Sequence, residues 1–276
     1  YLADEPTLES MLPALEDGER PIRAAMAEAL AARGARDALL ARAGDDAVYP
    51  WAVQVVEAGP ATGDSLRVLS ELRPVDTALE ERWREAVRSL IARLAPAEVL
   101  MIDNLLATDA PLPPDLRRVL LERGLADVDP PIESSIRVEL VSRLARILLT
   151  EDQPDAALAR LQSIGPEQTN PAIRRLRFEA AIRSGAYDVA AAAVPEPEPW
   201  VTMLAGLIDV DPDASRTLRD EIASRFDGAL PEALQARFDE LASQLADGTP
   251  DADDPSESPD STDPTDSDAD ADVELG

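Results

Sequence analysis

The chain has no cysteine, no histidine and no lysine, so all 26 of its basic residues are arginine. Without a thiol there is no disulfide framework, no thiolate nucleophile and no soft metal ligand. Without imidazole or a side-chain amine there is no histidine base, no Schiff-base nitrogen and no phosphate-binding lysine. The zinc and P-loop signatures are missing as well. Aromatics make up 3% of the residues, too few to line a sugar cleft in the usual way. No apolar run approaches a membrane span, and no basic, apolar, small-residue signal pattern opens the sequence. We therefore expect no catalytic residues, no cofactor, no metal and no direct membrane insertion of this segment. Residue 1 is Tyr rather than Met, so we expect that a signal, an anchor or a whole domain has been removed upstream. That leaves the compartment open.

What the chain has in excess is acid: 55 Asp and Glu give a net charge of -29. Polyanion binding needs a local surplus of cations able to release counterions, and no long basic stretch supplies one. Nucleic acid is therefore not an expected partner. Acidity without lysine fits both a GC-rich genome and a salt-rich cytoplasm in which self-repulsion is screened. Paired carboxylates could still serve a helical-toroid hydrolase, of which this chain would be a fragment, but no pair stands out. Asp266, Asp268, Asp270 and Asp272 alternate like the start of a calcium loop. The pattern fails at Ala271, where the sharp turn needs Gly, and the chain ends before the bidentate Glu position.

Ala and Leu dominate every periodic segment, which suits closely packed helices and not sheets. The expected fold is all-α. A short pattern at Leu8, Met11, Leu12 and Leu15 is broken by Pro13. A helix over 19–33, faintly like a HEAT-type helix, has Pro21 near its start and Gly34 at its stop, and others follow over 35–43 and 50–58. The cleanest stripe, Leu79, Trp83, Ala86, Val87, Leu90, Ile91 and Leu94, predicts a helix over 76–94 with Trp83 in the core. Further helices are expected over 96–106 and 115–125, with the best internal boundary at the double proline of 127–131. Beyond 195–199, where alternating prolines read as a stiff extended connector, helices are expected over 200–208, 212–226 and 231–246.

Between 134 and 195 two helical hairpins follow each other. Val138, Val141, Leu144, Ile147 and Leu148 form one face of the first, and Ile173, Leu176, Ala180 and Ile182 one face of the second. Ala156 and Ala190 lie thirty-four residues apart, and Gly185 and Tyr187 precede Ala190 as a tight turn followed by an aromatic. With these residues the stretch over about 132–194 resembles the tetratricopeptide repeat, although Phe178 falls where that family usually keeps a small residue. The resemblance implies an α-α superhelix, a solenoid of hairpins, with Ala156, Gly185, Tyr187 and Ala190 as repeat-packing residues. It also implies a non-catalytic scaffold presenting a concave helical surface to a protein or peptide partner. A purely structural lobe of a larger protein is the other alternative.

Arg174, Arg175 and Arg177 are the densest basic cluster, on the first helix of the second hairpin. The resemblance makes them candidates for binding an acidic partner, since guanidinium groups pair bidentately with carboxylates. The alternative is a solvated face paired with neighbours such as Glu179. The expected organisation is an irregular hairpin region over 1–131, repeats with a C-terminal capping helix over 132–246, and a disordered acidic tail over 247–276. That tail carries twelve Asp or Glu and no base, with almost nothing apolar to offset its ordering entropy.

Overall fold

The structure, a computed structural model, describes residue 13, residues 15–126 and residues 132–247. The sequence patterns at Leu8 to Leu12, in the acidic tail past 247 and at Asp266 to Asp272 lie outside them. The described residues are all-helical with no strand. Contacts divide the chain into two compact units, Tyr1–Pro195 and Glu196–Gly276.

In the first unit the helices are α1 (Arg20–Ala32), α2 (Arg36–Leu40), α3 (Tyr49–Ala58), α4 (Gly63–Glu71) and α5 (Thr77–Arg93). After a short 3₁₀ turn, Pro96–Glu98, come α6 (Val99–Asp109), α7 (Pro114–Gly124), α8 (Ser134–Thr150) and α9 (Pro154–Gln162). A second 3₁₀ turn, Pro166–Gln168, leads to α10 (Pro171–Arg183) and α11 (Tyr187–Ala193). Apart from α5 and α6, the helices pack on their chain neighbours, and several also pack on the helix two places along: α1 on α3, α3 on α5, α5 on α7, α6 on α8, α8 on α10. Each of these helices thus packs mainly against near neighbours in sequence.

Helix α5 behaves as its stripe predicts. Trp83, Ala86, Val87, Leu90 and Ile91 are all fully buried. The one polar atom of Trp83 is satisfied, its Nε1 donating to the Leu69 carbonyl at 2.6 Å. Two surface pairs also form on this helix, Arg84 with Glu80 at 3.0 Å and Arg88 with Glu81 at 3.4 Å. Helix α4 occupies a stretch for which the sequence analysis gives no element. Thr62 caps it, its side-chain oxygen accepting from the Ser65 amide, and Leu66 and Leu69 anchor it in the core.

Packing runs across the 127–131 stretch. Helix α7 lies on α8, Arg118 pairs with Glu151 at 2.7 Å, and Arg143 pairs with Asp103 at 2.6 Å. By contacts, the two units meet in sequence at Pro195 and Glu196. Arginines also join helices two places apart by capping their C-terminal carbonyls. Arg93 on α5 donates to Gly59 and Glu57 at the end of α3, Arg123 on α7 to Leu94 at the end of α5, and Arg183 on α10 to Leu149 near the end of α8. A cation there meets both unpaired carbonyls and the negative end of the helix dipole.

The second unit holds α12 (Pro197–Leu207), α13 (Pro212–Arg225) and α14 (Glu232–Asp247), each packed on the other two. The extended connector expected over 195–199 is corrected here. Pro197 opens α12, and Pro199 sits in the same first turn, where backbone N–H groups have no intrahelical partner and proline forfeits nothing. Asp211 caps α13 by accepting from the Ala214 amide at 3.0 Å. Trp200 is buried, with Phe226 edge-on at 5.8 Å and the Arg225 guanidinium 5.5 Å from its ring. On helix α14, Phe238, Leu241 and Leu245 are buried.

Candidate functional site

The hairpins α8–α9 and α10–α11 are closed by the same turn. In the first, Asp152 N–H donates to Leu149 O at 3.3 Å and Gln153 N–H to Leu148 O at 2.8 Å. In the second, Gly185 N–H donates to Ile182 O at 3.1 Å and Ala186 N–H to Ala181 O at 2.8 Å. Asp152 (φ 56) and Gly185 (φ 72) both take the left-handed conformation that this Schellman-type ending requires. The α1–α2 hairpin ends identically, with Gly34 (φ 68), Gly34 N–H to Ala31 O and Ala35 N–H to Leu30 O. The residue after each turn also matches: Ala35, Gln153 and Ala186 have ψ of 61, 61 and 59.

This turn sets the register of the two hairpins, and it corrects one expected packing residue. Asp152 and Gly185 are thirty-three residues apart, which aligns Ala190 with Ala157 and not with Ala156. Burial agrees: Ala157 and Ala190 are fully buried, whereas Ala156 is exposed. Gly185 makes the turn, and Tyr187, half-buried, is the first residue of α11. Phe178 aligns with Ala145, and both are buried. Asp152 and Ala157 are the positions that residue-type matching missed. An aspartate where a glycine is usual is the signal, since Asp tolerates the left-handed region better than most residues.

Helix α10 starts at Pro171 behind Asn170, whose Oδ1 accepts from the Ile173 amide at 2.9 Å. From there its three arginines part company. Arg174 and Arg175 are exposed, and neither has an ion-pair partner among the described residues. Glu179, the expected partner for this cluster, approaches Arg183 instead, at 4.0 Å. Arg177 turns inward, its Nη2 donating to Leu161 O at 2.9 Å and Ile164 O at 3.3 Å, so that it caps the end of α9. Its Nε is fully enclosed and has no hydrogen-bond partner. Arg174 and Arg177 line a cavity of about 550 Å³ formed by the end of α9, the 3₁₀ turn, α10 and α11.

Elsewhere in this unit, burial and two arginines perturb the Asp103 carboxyl on α6. Its Oδ1 accepts from Arg117 Nε at 2.6 Å, and its Oδ2 from Arg117 Nη2 at 2.8 Å and Arg143 Nη1 at 2.6 Å. Burial alone raises its pKa, but the two guanidinium groups outweigh that and hold the carboxyl below its ordinary value. A carboxylate that accepts three charge-assisted hydrogen bonds ties α6, α7 and α8 together. The Tyr49 hydroxyl, pushed up first by burial and then by Glu80, donates to Leu72 O at 2.9 Å and is likewise structural. Among the described residues no helix is long and apolar enough to cross a membrane. Compared with known proteins, the chain matches no family model, no curated protein and no solved structure.

Proposed function

We propose that the chain is a non-catalytic helical-repeat scaffold, tetratricopeptide-like over the α8 to α11 hairpins, which binds a protein or peptide partner on a concave helical surface. The observation that carries this reading is the unpaired state of Arg174 and Arg175. In a chain with about two acids for every arginine, most arginines have found a carboxylate or a carbonyl, and these two adjacent ones have not. Two exposed guanidinium groups on one helix suit carboxylates of a partner, with apolar contacts supplying the remaining affinity. The shared turn at Gly34, Asp152 and Gly185 supports repetition of one hairpin unit, and the absence of histidine, lysine and cysteine supports a non-catalytic role.

Selection of a random displayed peptide library on the full chain tests this. Enrichment of acidic sequences, lost with Arg174→Ala/Arg175→Ala, is the expected outcome. Recovery of no sequence above background, or of the same sequences on the double variant, counts against it.

A further inference from the structure

The loop between α4 and α5 carries the most exposed large apolar side chain among the described residues. Val75 is fully exposed, although its loop is held on both sides. The Leu72 carbonyl accepts from the Tyr49 hydroxyl of α3 at 2.9 Å, and Asp76 Oδ1 accepts from the Ala78 amide at 2.9 Å. Between them Arg73 pairs with Glu80 at 3.5 Å and lies 5.6 Å from the centre of the Trp83 ring. A loop fixed in this way loses little freedom when something binds it, and a fully hydrated valine gains by being covered.

Val75 also borders a cavity of about 550 Å³ between α2, α3 and this loop, a volume within the range of ordinary ligand sites. Half-buried Leu40, Leu72 and Leu79 give the cavity apolar walls. Three exposed acids from different segments complete its lining: Asp46 before α3, Glu71 at the end of α4 and Asp76 before α5. The arginine in the lining, Arg73, is answered by Glu80, which lies outside it. Asp46 pairs with Arg20 at 3.0 Å and Glu71 with Arg67 at 2.6 Å, but neither of these arginines lines the cavity, and such solvated pairs contribute little. Asp76 has no ion-pair partner among the described residues. The cavities at the end of α9 and between α1 and α3 have the opposite character, with arginine and no acid in their linings.

We infer that this cavity and the Val75 loop together dock a lysine-bearing apolar segment of a partner protein. The four methylenes of the lysine lie along Leu40, Leu72 and Leu79, its ammonium meets the carboxylates of Asp46, Glu71 and Asp76, and an aliphatic neighbour covers Val75. A long cationic side chain with an apolar stem is the group that satisfies such a surface, because it buries its stem and keeps its head among charges. Three carboxylates on separate segments suit the three N–H donors of an ammonium better than the planar fork of a guanidinium, which matches one carboxylate at a time. The chain has no lysine, so a second copy cannot supply the group. This surface uses no residue of α8 to α11. It adds a contact of opposite charge to the scaffold reading and does not rest on it.

The test uses the full chain, uniformly ¹⁵N-labelled, and follows the backbone amide resonances of Val75 and Leu79. The probes are three pentapeptides: Ac-Ala-Leu-Lys-Leu-Ala-NH₂, the same peptide with norleucine in place of lysine, and Ac-Ala-Gly-Lys-Gly-Ala-NH₂. The norleucine peptide keeps the stem and loses the charge, and the glycine peptide keeps the charge and loses the aliphatic neighbours. A saturable shift with the first peptide, and binding about tenfold weaker or more with each of the other two, is the expected result. Val75→Ser should weaken the first peptide about fivefold or more without changing the thermal midpoint, because the side chain it replaces is fully exposed. Val210→Ser, the same change at an exposed position in the other unit, should leave binding unchanged. No shift with the lysine peptide, equal affinity for the norleucine peptide, or equal weakening by Val210→Ser overturns the site. Equal affinity for the glycine peptide also overturns it, since that is the general attraction of a chain of net charge -29 for a cation. None of these results bears on Arg174 and Arg175, so the two proposals fail separately.

Discussion

Asp103 and Arg117 face each other across α6 and α7 as a bidentate pair, with Nε to Oδ1 at 2.6 Å and Nη2 to Oδ2 at 2.8 Å. The aspartate side chain is 2% exposed and the arginine 36%, so the pair straddles the protein surface. Arg143 then brings α8 onto the same carboxylate. Asp103→Asn keeps the shape and removes the charge that two guanidinium groups require. Breaking a buried pair costs about 3–5 kcal/mol, and partial hydration of Arg117 reduces that to about 2–3 kcal/mol. Urea denaturation of the two proteins measures it. The pH dependence has a definite sign. The native pKa lies below the ordinary value, so this stabilisation is complete above about pH 4 and is lost as pH falls through the native value. The Asn variant should lack that part of the acid sensitivity.

Gly124 ends α7 where α6 and α8 both approach. A Cβ built there would sit 2.8 Å from Val99 Cγ1 and 2.9 Å from Leu140 Cδ1, closer than carbon atoms pack. Gly124→Ala should therefore destabilise the first unit by about 1–3 kcal/mol, despite the better helix propensity of alanine. Thermal unfolding of the variant checks the direction.

The left-handed turn at Asp152 makes a paired prediction. Asp152→Gly removes the backbone strain and the 2.8 Å ion pair with Arg183, and these two changes nearly cancel. Asp152→Val keeps the strain, worsens it with a branched side chain and loses the ion pair, at a cost of about 1–2 kcal/mol. If the valine variant were as stable as the glycine variant, the turn would not have the conformation described.

Arg183 also donates to Leu149 O at 2.8 Å, near the end of α8. Arg183→Ala should cost about 1 kcal/mol and speed hydrogen exchange at the last turn of α8 before it affects α5 or α7. Uniform loss of protection across the unit would contradict a local capping role.

Helical class, the α5 stripe and several helix ends were legible in the sequence because period and capping are local. Trp83 in the core and Gly34 at the end of α1 are such cases. Local rules misled where a residue type was read without its position. Pro197 and Pro199 looked incompatible with helix, yet the first turn accepts both. The repeat interval was read one residue long, because Asp152 stands in the left-handed position that Gly185 holds in the next hairpin. The cavity was not legible at all. It joins Gln162 to Ala193 through tertiary packing, and Arg177 differs from Arg175 only in the face of α10 it occupies.

The scaffold claim is tested most directly by affinity isolation with the full chain as bait, beside its Arg174→Ala/Arg175→Ala variant. Arg177 is left intact because it caps α9. A stoichiometric partner retained by the wild type and lost by the double variant is the predicted result. Equal recovery on both baits, or no stoichiometric partner at any salt concentration, would contradict it.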